Sequence, residues 1–323
     1  EAIENTNVFL TFEDVVFDKS KKLPSIYPTL SQDERNQKYA NLIREEFERQ
    51  TSGMSEKEKA LRMNGVQYEM NAITSTGMSD YFLLDHEIVR RAVEKGGVIT
   101  KTGRGSAPSY YTNSLLGLSS IDRFAIPVEV FPDRFISADR ILSGSLPDID
   151  MNVANREAFE QAQTEVLGEW RAAPMVAFGT LKRLSAWKMY CRAANIPFET
   201  ANAVGNQLKA YEMAVRYAEQ GEEVDLSDFI PDQFSALVAA SERYMGLIDS
   251  ISPHPCAYLL CTEDIRREIG VIRINSKAGK KQPVFAAFID GATAELYGYL
   301  KNDMLLVDVV RTNQEAFERI GMK

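Results

Sequence analysis

The stretch Leu146-Pro147-Asp148-Ile149-Asp150-Met151-Asn152-Val153 decides the fold, because it places two acidic residues in a largely apolar segment. This pattern predicts a short strand over residues 146–153. Side chains two positions apart on a strand point to the same face, so Asp148 and Asp150 would present their carboxylates side by side. A divalent cation would relieve their repulsion, and Mg²⁺ prefers carboxylate ligands. A polar edge strand with solvated aspartates remains the alternative.

A glycine-rich turn, Thr102-Gly103-Arg104-Gly105-Ser106, lies upstream, between a predicted strand at 98–100 and a predicted helix. Glycines in such a turn let backbone N–H groups approach a phosphate, and the positive end of the helix dipole adds attraction. Arg104 would add a charge-assisted contact. A tight turn in which Ser106 caps the helix explains the same residues without a ligand.

A lone acidic residue, Asp308, lies downstream in the apolar run at 304–310, which predicts another strand. A single carboxylate is costly to bury unless a cation accompanies it, and an outward-facing position on a half-exposed strand is the alternative. The order of turn, aspartate pair and later aspartate is typical of nucleotidyltransferases of the polymerase β type. In those enzymes the turn holds the triphosphate and three carboxylates hold two metal ions.

The remaining pattern predicts a mixed α/β unit that is interrupted by a helical block. Helices are predicted at 33–50, from Ser55 toward Gly77, at 85–95 and at 156–170, with strands at 81–84, 257–261 and 284–289; the helical block comprises 181–194, 200–219 and 233–249. A helical block inside a mixed unit is typical of an inserted subdomain.

Composition limits the chemistry that this chain can perform. Its 323 residues predict two packed units, and no apolar run approaches the ~20 residues of a membrane span. Three cysteines without paired spacing and two histidines argue against a disulfide framework or a zinc site, so catalysis must rest on carboxylates and basic groups. Because the net charge is −9, contact with nucleic acid would depend on local basic clusters.

These motifs, taken in order, resemble the palm of the C-family DNA polymerases, the family of the bacterial polymerase III α subunit. The matching segments are Tyr81-Phe82-Leu83-Leu84, Gly103-Arg104-Gly105-Ser106-Ala107, Leu115-Leu116-Gly117, Asp133-Arg134-Phe135, Asp139-Arg140, Pro147-Asp148-Ile149-Asp150, Phe178-Gly179-Thr180, Ser252-Pro253-His254-Pro255 and Leu305-Leu306-Val307-Asp308. The resemblance runs from about residue 30 to the C-terminus.

The resemblance implies an α+β fold, in which a palm of the polymerase β type, a mixed sheet flanked by helices, carries an inserted helical thumb. Residues 1–50 would form a lead-in segment and the first helix, 51–180 the first part of the palm, 181–252 the thumb and 253–323 the second part of the palm. The chain would be a fragment of a larger polymerase that lacks the fingers.

The resemblance also assigns roles to individual residues. Asp148, Asp150 and Asp308 would be the catalytic residues and would bind two Mg²⁺ ions, for which Mn²⁺ can substitute. Nucleotide-binding residues would be Gly103, Arg104, Gly105, Ser106, Arg134 and Arg140, and DNA-binding residues would be Lys182, Arg183 and Lys188. Arg134 and Arg140 could instead form surface salt bridges. Lys182, Arg183 and Lys188 could instead form a solvated helix face. His254, between prolines, is interpreted as a structural turn residue.

Two departures from the family pattern leave the function open. Leu306 stands two residues before Asp308, where many members carry a lysine, so that a neighbour such as Lys301 would have to substitute; Asn152 stands where a third acidic residue is common. The favoured function is template-directed DNA synthesis from dNTPs on primer–template DNA, in the cytoplasm of a bacterial or phage-infected cell. Other replisome proteins would bind through parts outside this chain, and no membrane is involved. The alternative is a catalytically inactive palm that serves as a structural or partner-binding module.

Overall fold

A mixed seven-stranded sheet organises the computed structural model, which describes residues 16–100, 103–142, 146–219, 222–275 and 283–321. Its strands are β1 (Val98–Ile99), β2 (Asp150–Ala154), β3 (Ala172–Thr180), β4 (Ile248–Leu260), β5 (Val271–Ile274), β6 (Val284–Ala287) and β7 (Leu300–Leu306), in the spatial order β1-β2-β7-β4-β3-β6-β5. Thr102 and residues 1–15 of the predicted lead-in lie outside the described residues.

Helices flank this sheet and also follow one another in the segment between β3 and β4. They are α1 (Gln32–Thr51), α2 (Glu56–Ser75), α3 (Ser79–Glu94), α4 (Tyr111–Leu115), α5 (Ala138–Leu142), α6 (Arg156–Leu167), α7 (Arg183–Ala193), α8 (Phe198–Tyr217), α9 (Asp232–Glu242), α10 (Ile265–Glu268), α11 (Gly291–Leu296) and α12 (Asp308–Arg319). Ser31 and Ser55 begin α1 and α2 with reciprocal capping boxes, each closed by the glutamate three residues later. None of the described helices has the length and apolar character that crossing a membrane requires.

The chain divides into two compact units. Unit 1 runs up to Val176 and resumes at Pro253, and unit 2 is Ala177–Ser252. Within unit 1, alternate residues of β4 join different cores: Tyr258 and Leu260 pack with the cluster that includes α1–α3, whereas Ala257 and Leu259 pack with α10, β6 and α11. This alternation follows from the two-residue period of a strand that is buried on both faces.

Unit 2 has a core of its own. It consists of Trp187, Cys191, Val204, Leu208, Ile230 and Val238, which come from α7, α8, α9 and the segment that precedes α9. The helical block that the sequence predicts at 181–249 lies within this unit. Its last predicted helix, 233–249, is too long, because α9 ends at Glu242 and β4 begins at Ile248.

The strand register of unit 1 determines which acidic residues become neighbours. Strands β2 and β7 run parallel, with Asp150 opposite Asp303. On the other side of β7, antiparallel β4 places Ala257 opposite the same Asp303. Asp303 therefore lies on a central strand, next to the strand that Asp150 begins.

Two predicted strands are wrong. The run Tyr81-Phe82-Leu83-Leu84 belongs to α3, whose first two turns are buried on every side, and a short apolar run cannot be told from a buried helix by periodicity. The strand predicted at 304–310 lies about four residues too late in the chain, since β7 ends at Leu306 and Asp308 is the first residue of α12. An acidic residue at that position agrees with the positive end of the helix dipole.

Candidate active site

Three carboxylates converge in unit 1. Asp148, Asp150 and Asp303 each offer a carboxylate oxygen, and these three oxygens lie within 4.8 Å of one another. Asp150 begins β2 beside Asp303 of β7, and Asp148 lies two residues earlier in the chain. The aspartate pair predicted from the sequence is thus brought together, although the regular strand begins only at its second member.

The third member of this group is Asp303, in place of the predicted Asp308. Asp308 is exposed at the start of α12 and belongs to neither group of potential metal-ligating side chains that the described residues form. The sequence signal for Asp303 is the alternation along β7, where Leu300, Asn302 and Met304 are buried on one face. The more apolar run just downstream obscured this alternation and shifted the predicted strand.

Lys301 places a positive charge between Asp148 and Asp303. Its Nζ lies 2.8 Å from Asp303 Oδ2, 3.1 Å from Asp148 Oδ2 and 3.4 Å from Glu295 Oε1. Burial alone would lower the pKa of Lys301, but the hydrogen bond to Asp303 and the charge of Asp148 outweigh burial and raise it. Lys301 also stands two residues before Asp303 in the chain.

The carboxylates suit a divalent cation. Burial raises the pKa of Asp148, and the nearby charge of Asp303 adds to that effect while Lys301 opposes it. Asp303 Oδ1 is buried and has no hydrogen-bond partner among the described residues. A metal ion would relieve the repulsion and give this oxygen a partner, so the donor set fits Mg²⁺ or Mn²⁺.

The glycine-rich turn lies directly against the carboxylates. Arg104 Nε is 3.0 Å from Asp150 Oδ1, and this hydrogen bond raises the pKa of Arg104. Gly105 has a φ of +62°, and a Cβ placed on it would collide with the Asp150 carboxylate. The turn therefore packs closely on Asp150 through a residue that must lack a side chain.

The structure does not show the helix cap that the sequence offered as an alternative for Ser106. Ser106 makes no capping hydrogen bond through its side chain, and its carbonyl accepts the N–H of Ser109 at 3.0 Å. In the part of the chain that the structure describes, no backbone acceptor pairs with the N–H groups of Gly105 and Ser106. Gly103 is packed against Pro108 and Ile121.

Of the two predicted downstream arginines, the structure brings one to the site. Arg140 lines a pocket of about 250 Å³ together with Asp148, Glu295 and Lys301. Its Nη1 also donates to the carbonyl of Arg134 at 2.7 Å. Arg134 is exposed on a short 3₁₀ turn, Pro132–Arg134, and its side chain does not line that pocket.

The basic residues predicted to bind DNA lie at the start of α7, within unit 2. Arg183 Nε lies 2.6 Å from Glu242 Oε1, and its guanidinium stacks over the ring of Tyr211 at 5.0 Å. These contacts favour a structural role for Arg183. Lys182 and Lys188 are exposed.

A second group of potential ligands shares Asp303 with the carboxylate site. It contains His254 and Cys256, whose donor atoms lie within 4.8 Å of an Asp303 oxygen. However, His254 Nδ1 accepts the backbone N–H of Ala257 at 2.8 Å and that of Cys256 at 3.3 Å. The lone pair of Nδ1 is thus used within the chain, which favours a structural role for His254. The predicted turn is wrong, however, because His254 lies within β4.

The comparisons with known proteins identify the family of the chain. Residues 37–305 match the family model of the bacterial DNA polymerase III alpha NTPase domain, a range that includes Asp303 and ends before Asp308. The DNA polymerase III subunit alpha of Mycobacterium tuberculosis is 28% identical over 258 residues, which make up 74% of this chain and 20% of that protein. The subunit of Chlamydia trachomatis is 25% identical over 264 residues, or 80% of this chain and 20% of that protein.

The subunit alpha of Bacillus subtilis is 32% identical over a shorter stretch of 123 residues, 38% of this chain and 10% of that protein. The chain spans about a fifth of the length of the M. tuberculosis and C. trachomatis relatives that it matches. Because the family match covers most of the sequence, the chain belongs to the bacterial DNA polymerase III alpha NTPase domain family.

Proposed function

We propose that this chain is the catalytic core of a template-directed DNA polymerase, with unit 1 as the palm and unit 2 as the thumb. It would add dNTPs to the 3′-hydroxyl of a primer and release pyrophosphate. The convergence of Asp148, Asp150 and Asp303 directly against the Gly105 turn carries this proposal. Such a site places carboxylates for metal ions next to backbone N–H groups for a triphosphate.

Asp148, Asp150 and Asp303 would hold two Mg²⁺ ions, with Mn²⁺ as a substitute. When bound, these ions lower the pKa of the primer hydroxyl and stabilise the charge of the leaving pyrophosphate. Asp303 Oδ1 supports this assignment, because it is a buried acceptor without a donor among the described residues.

The residues around the carboxylates would bind and orient the nucleotide. The N–H groups of Gly105 and Ser106 would donate to phosphate oxygens, and Arg104 and Arg140 would add charge-assisted contacts. Lys301, held by Asp148 and Asp303, would neutralise charge beside the triphosphate. Positioning and charge neutralisation of this kind account for most of the rate in phosphoryl transfer.

The DNA would be held by exposed basic residues and by parts of the polymerase beyond this fragment. Lys182 and Lys188 are the candidates in unit 2, whereas Arg183 is already paired with Glu242. Arg134 remains a candidate contact through its exposed side chain. Other replisome proteins would join the whole subunit, which would act in the bacterial cytoplasm or in a phage-infected cell.

The alternative of a catalytically inactive palm now has less support. It depended on a lysine missing at Leu306, on Asn152 in place of a third acidic residue and on the acidic net charge. With Asp303 as the third carboxylate, the lysine is present as Lys301, whereas the Asn152 departure and the net charge of −9 remain.

Metal binding to matched variants tests the proposal. We expect the unmodified chain to bind Mn²⁺, measured by electron paramagnetic resonance, and to bind a dNTP more tightly when Mn²⁺ is present. Asp303→Asn should weaken Mn²⁺ binding by roughly tenfold or more, because it removes a carboxylate ligand. Asp308→Asn, the matched control, should leave Mn²⁺ affinity within about twofold, since an exposed side chain outside the site gives up no ligand.

The opposite ranking of these two variants would refute the assignment of the third carboxylate. Mn²⁺ binding without any effect on dNTP affinity would favour the inactive module. Primer extension with Mn²⁺ and template–primer DNA completes the test, and Asp150→Asn should abolish it while the circular dichroism spectrum stays unchanged.

A further inference from the structure

A buried polar layer lies behind the carboxylates, on the opposite face of their strands. Ile149 stands between Asp148 and Asp150, and Asn302 stands between Lys301 and Asp303. Because side chains alternate along extended chain, these two intervening residues point away from the site. Both are fully buried.

One helix meets both segments at these intervening positions. Tyr81 and Asp85 lie one turn apart on α3, on the same face, and both are completely buried. The Tyr81 hydroxyl accepts the backbone N–H of Ile149 at 3.2 Å. Asp85 Oδ1 accepts a hydrogen bond from Asn302 Nδ2 at 2.7 Å. Helix α3 is therefore hydrogen-bonded to the middle of each carboxylate-bearing segment.

We propose that Tyr81 and Asp85 are positioning residues, which fix the two carboxylate-bearing segments relative to each other through Ile149 and Asn302. This inference rests on the proposed function, because it treats Asp148, Asp150 and Asp303 as metal ligands. Helix α3 would then have a role in the site, although it contributes none of the three carboxylates.

The stability cost of this layer supports a role in positioning. Asp85 Oδ2 and Asn302 Oδ1 are buried without hydrogen-bond partners among the described residues. Burial raises the pKa of Asp85 to about 7, although the hydrogen bond from Asn302 and the neighbouring Tyr81 oppose this rise. Well-packed apolar residues at such positions are often neutral or stabilising. A polar pair here therefore contributes little to stability.

A polar pair does, however, fix the position of the two elements that it joins relative to each other. A hydrogen bond between a carboxyl and an amide holds two atoms at one separation, whereas apolar side chains tolerate small slides along a strand. A slide along β7 would move Asp303 past Asp150, its partner in the register. Holding Asn302 by Asp85 opposes that slide at the residue next to Asp303.

Mn²⁺ affinity and unfolding stability, measured on the same variants of the whole chain, test the inference. Asp85→Leu removes the hydrogen bond and keeps similar volume. We expect it to weaken Mn²⁺ binding by about tenfold, as residues that orient metal ligands typically do, and to lower the unfolding midpoint without metal, because the buried Asn302 amide loses its acceptor. Asp85→Asn retains an oxygen that accepts from Asn302, so it should keep Mn²⁺ affinity within about 1.5-fold.

Gln163→Leu is the matched control. Gln163, on α6, is also fully buried, and its side-chain nitrogen and oxygen have no partner among the described residues, but it contacts neither segment through a hydrogen bond that the structure shows. It replaces a buried polar side chain by leucine, as Asp85→Leu does, and should leave Mn²⁺ affinity unchanged. Tyr81→Phe, which removes only a hydroxyl, should lower Mn²⁺ affinity by about threefold, and it keeps the test decisive if Asp85→Leu fails to fold.

Equal Mn²⁺ affinity in the unmodified chain and in the Tyr81→Phe and Asp85→Leu variants would overturn the positioning role and leave the proposed function intact. An equal loss in Gln163→Leu would overturn it as well, because the effect would then be general to the core. If the unmodified chain bound no Mn²⁺, the proposed function itself would fail, and this inference with it.

Discussion

Gly105 has the most restrictive position among the residues of the site. Its φ of +62° lies in the left-handed region, and its backbone packs on the carboxylate of Asp150. Gly117 has a similar φ of +75°, but a Cβ there would have nothing within 4 Å. A side chain at either position would therefore strain the backbone, but only a side chain at Gly105 would also collide with Asp150.

Substituting each glycine by alanine separates these two effects. Gly117→Ala should lower the free energy of unfolding by ~1 kcal/mol, the usual cost of alanine at positive φ. Gly105→Ala should cost more and should also weaken Mn²⁺ binding by roughly tenfold, because the new methyl group displaces Asp150. Urea denaturation and Mn²⁺ titration measure the two quantities. Unchanged Mn²⁺ affinity in Gly105→Ala would contradict the close packing of the turn on the carboxylate.

Local patterns were sufficient to predict the Gly105 turn, which is a short glycine-rich motif, and the Asp148–Asp150 pair, whose two-residue spacing follows the period of a strand. Asp303 could not be found in the same way. Its strand carries Asn302 on the buried face, so the alternation of apolar residues is interrupted there. The partner that makes Asn302 acceptable in the core is Asp85, more than two hundred residues earlier in the chain, and no local pattern shows this pair.

Among the helices, α2 and α4 are joined by a buried carboxylate. Glu69 of α2 is completely buried and accepts the N–H groups of Tyr111 and Thr112, at 3.0 and 2.7 Å, at the start of α4. Arg123 Nη2 lies 2.9 Å from the same carboxylate. Burial raises the pKa of Glu69, and the backbone N–H groups and Arg123 partly oppose this rise. Glu69 thus holds the segment that follows the glycine-rich turn.

Removing this charge should destabilise the fold. Glu69→Gln leaves Arg123 largely buried without its ion partner, and we expect the free energy of unfolding to fall by about 2–4 kcal/mol. Glu56→Gln is the control on the same helix, because the Glu56 side chain is 93% exposed and its ion pair with Lys59 should contribute less than ~0.5 kcal/mol. Urea denaturation followed by circular dichroism compares them. Similar midpoints would show that Glu69 is not a structural link.

Sequence patterns were sufficient to predict those helices that begin with recognisable capping residues. The serine and glutamate of each capping box mark the starts of α1 and α2, and the predicted helix after Ser55 is confirmed. Helix α3 begins without a side-chain cap at Met78, and its first residues are all buried. Its amphipathic period becomes visible only after Asp85, which is why the run at 81–84 was misinterpreted as a strand.

At the scale of the whole molecule, the potential metal ligands belong to one unit. All three carboxylates belong to unit 1, and unit 2 is inserted between Val176 and Pro253. Helical periodicity predicts the block at 181–249, which lies within unit 2, but both unit boundaries fall inside the long strands β3 and β4. Composition does not change along a continuous strand, so such boundaries depend on tertiary contacts that the sequence does not display.

The two tryptophans allow the units to be observed separately. Trp170 lies in unit 1, 6.0 Å from the ring of Phe285, and Trp187 is the fully buried centre of unit 2, where its Nε1 donates to the Ala201 carbonyl at 2.8 Å. The sequence contains only these two tryptophans, so Trp187→Phe and Trp170→Phe each leave one fluorescent reporter.

We expect Mn²⁺ to stabilise unit 1 selectively. A ligand that binds only the folded state adds about 2.7 kcal/mol at a concentration of 100 times its Kd, so the urea midpoint reported by Trp170 should rise with Mn²⁺. The midpoint reported by Trp187 should change much less, because unit 2 supplies none of the three carboxylates. In an Asp303→Asn background the Trp170 shift should largely disappear. Equal shifts at both tryptophans would instead show that the two units unfold as one cooperative structure, and that the metal site stabilises the inserted helices as strongly as the sheet that carries it.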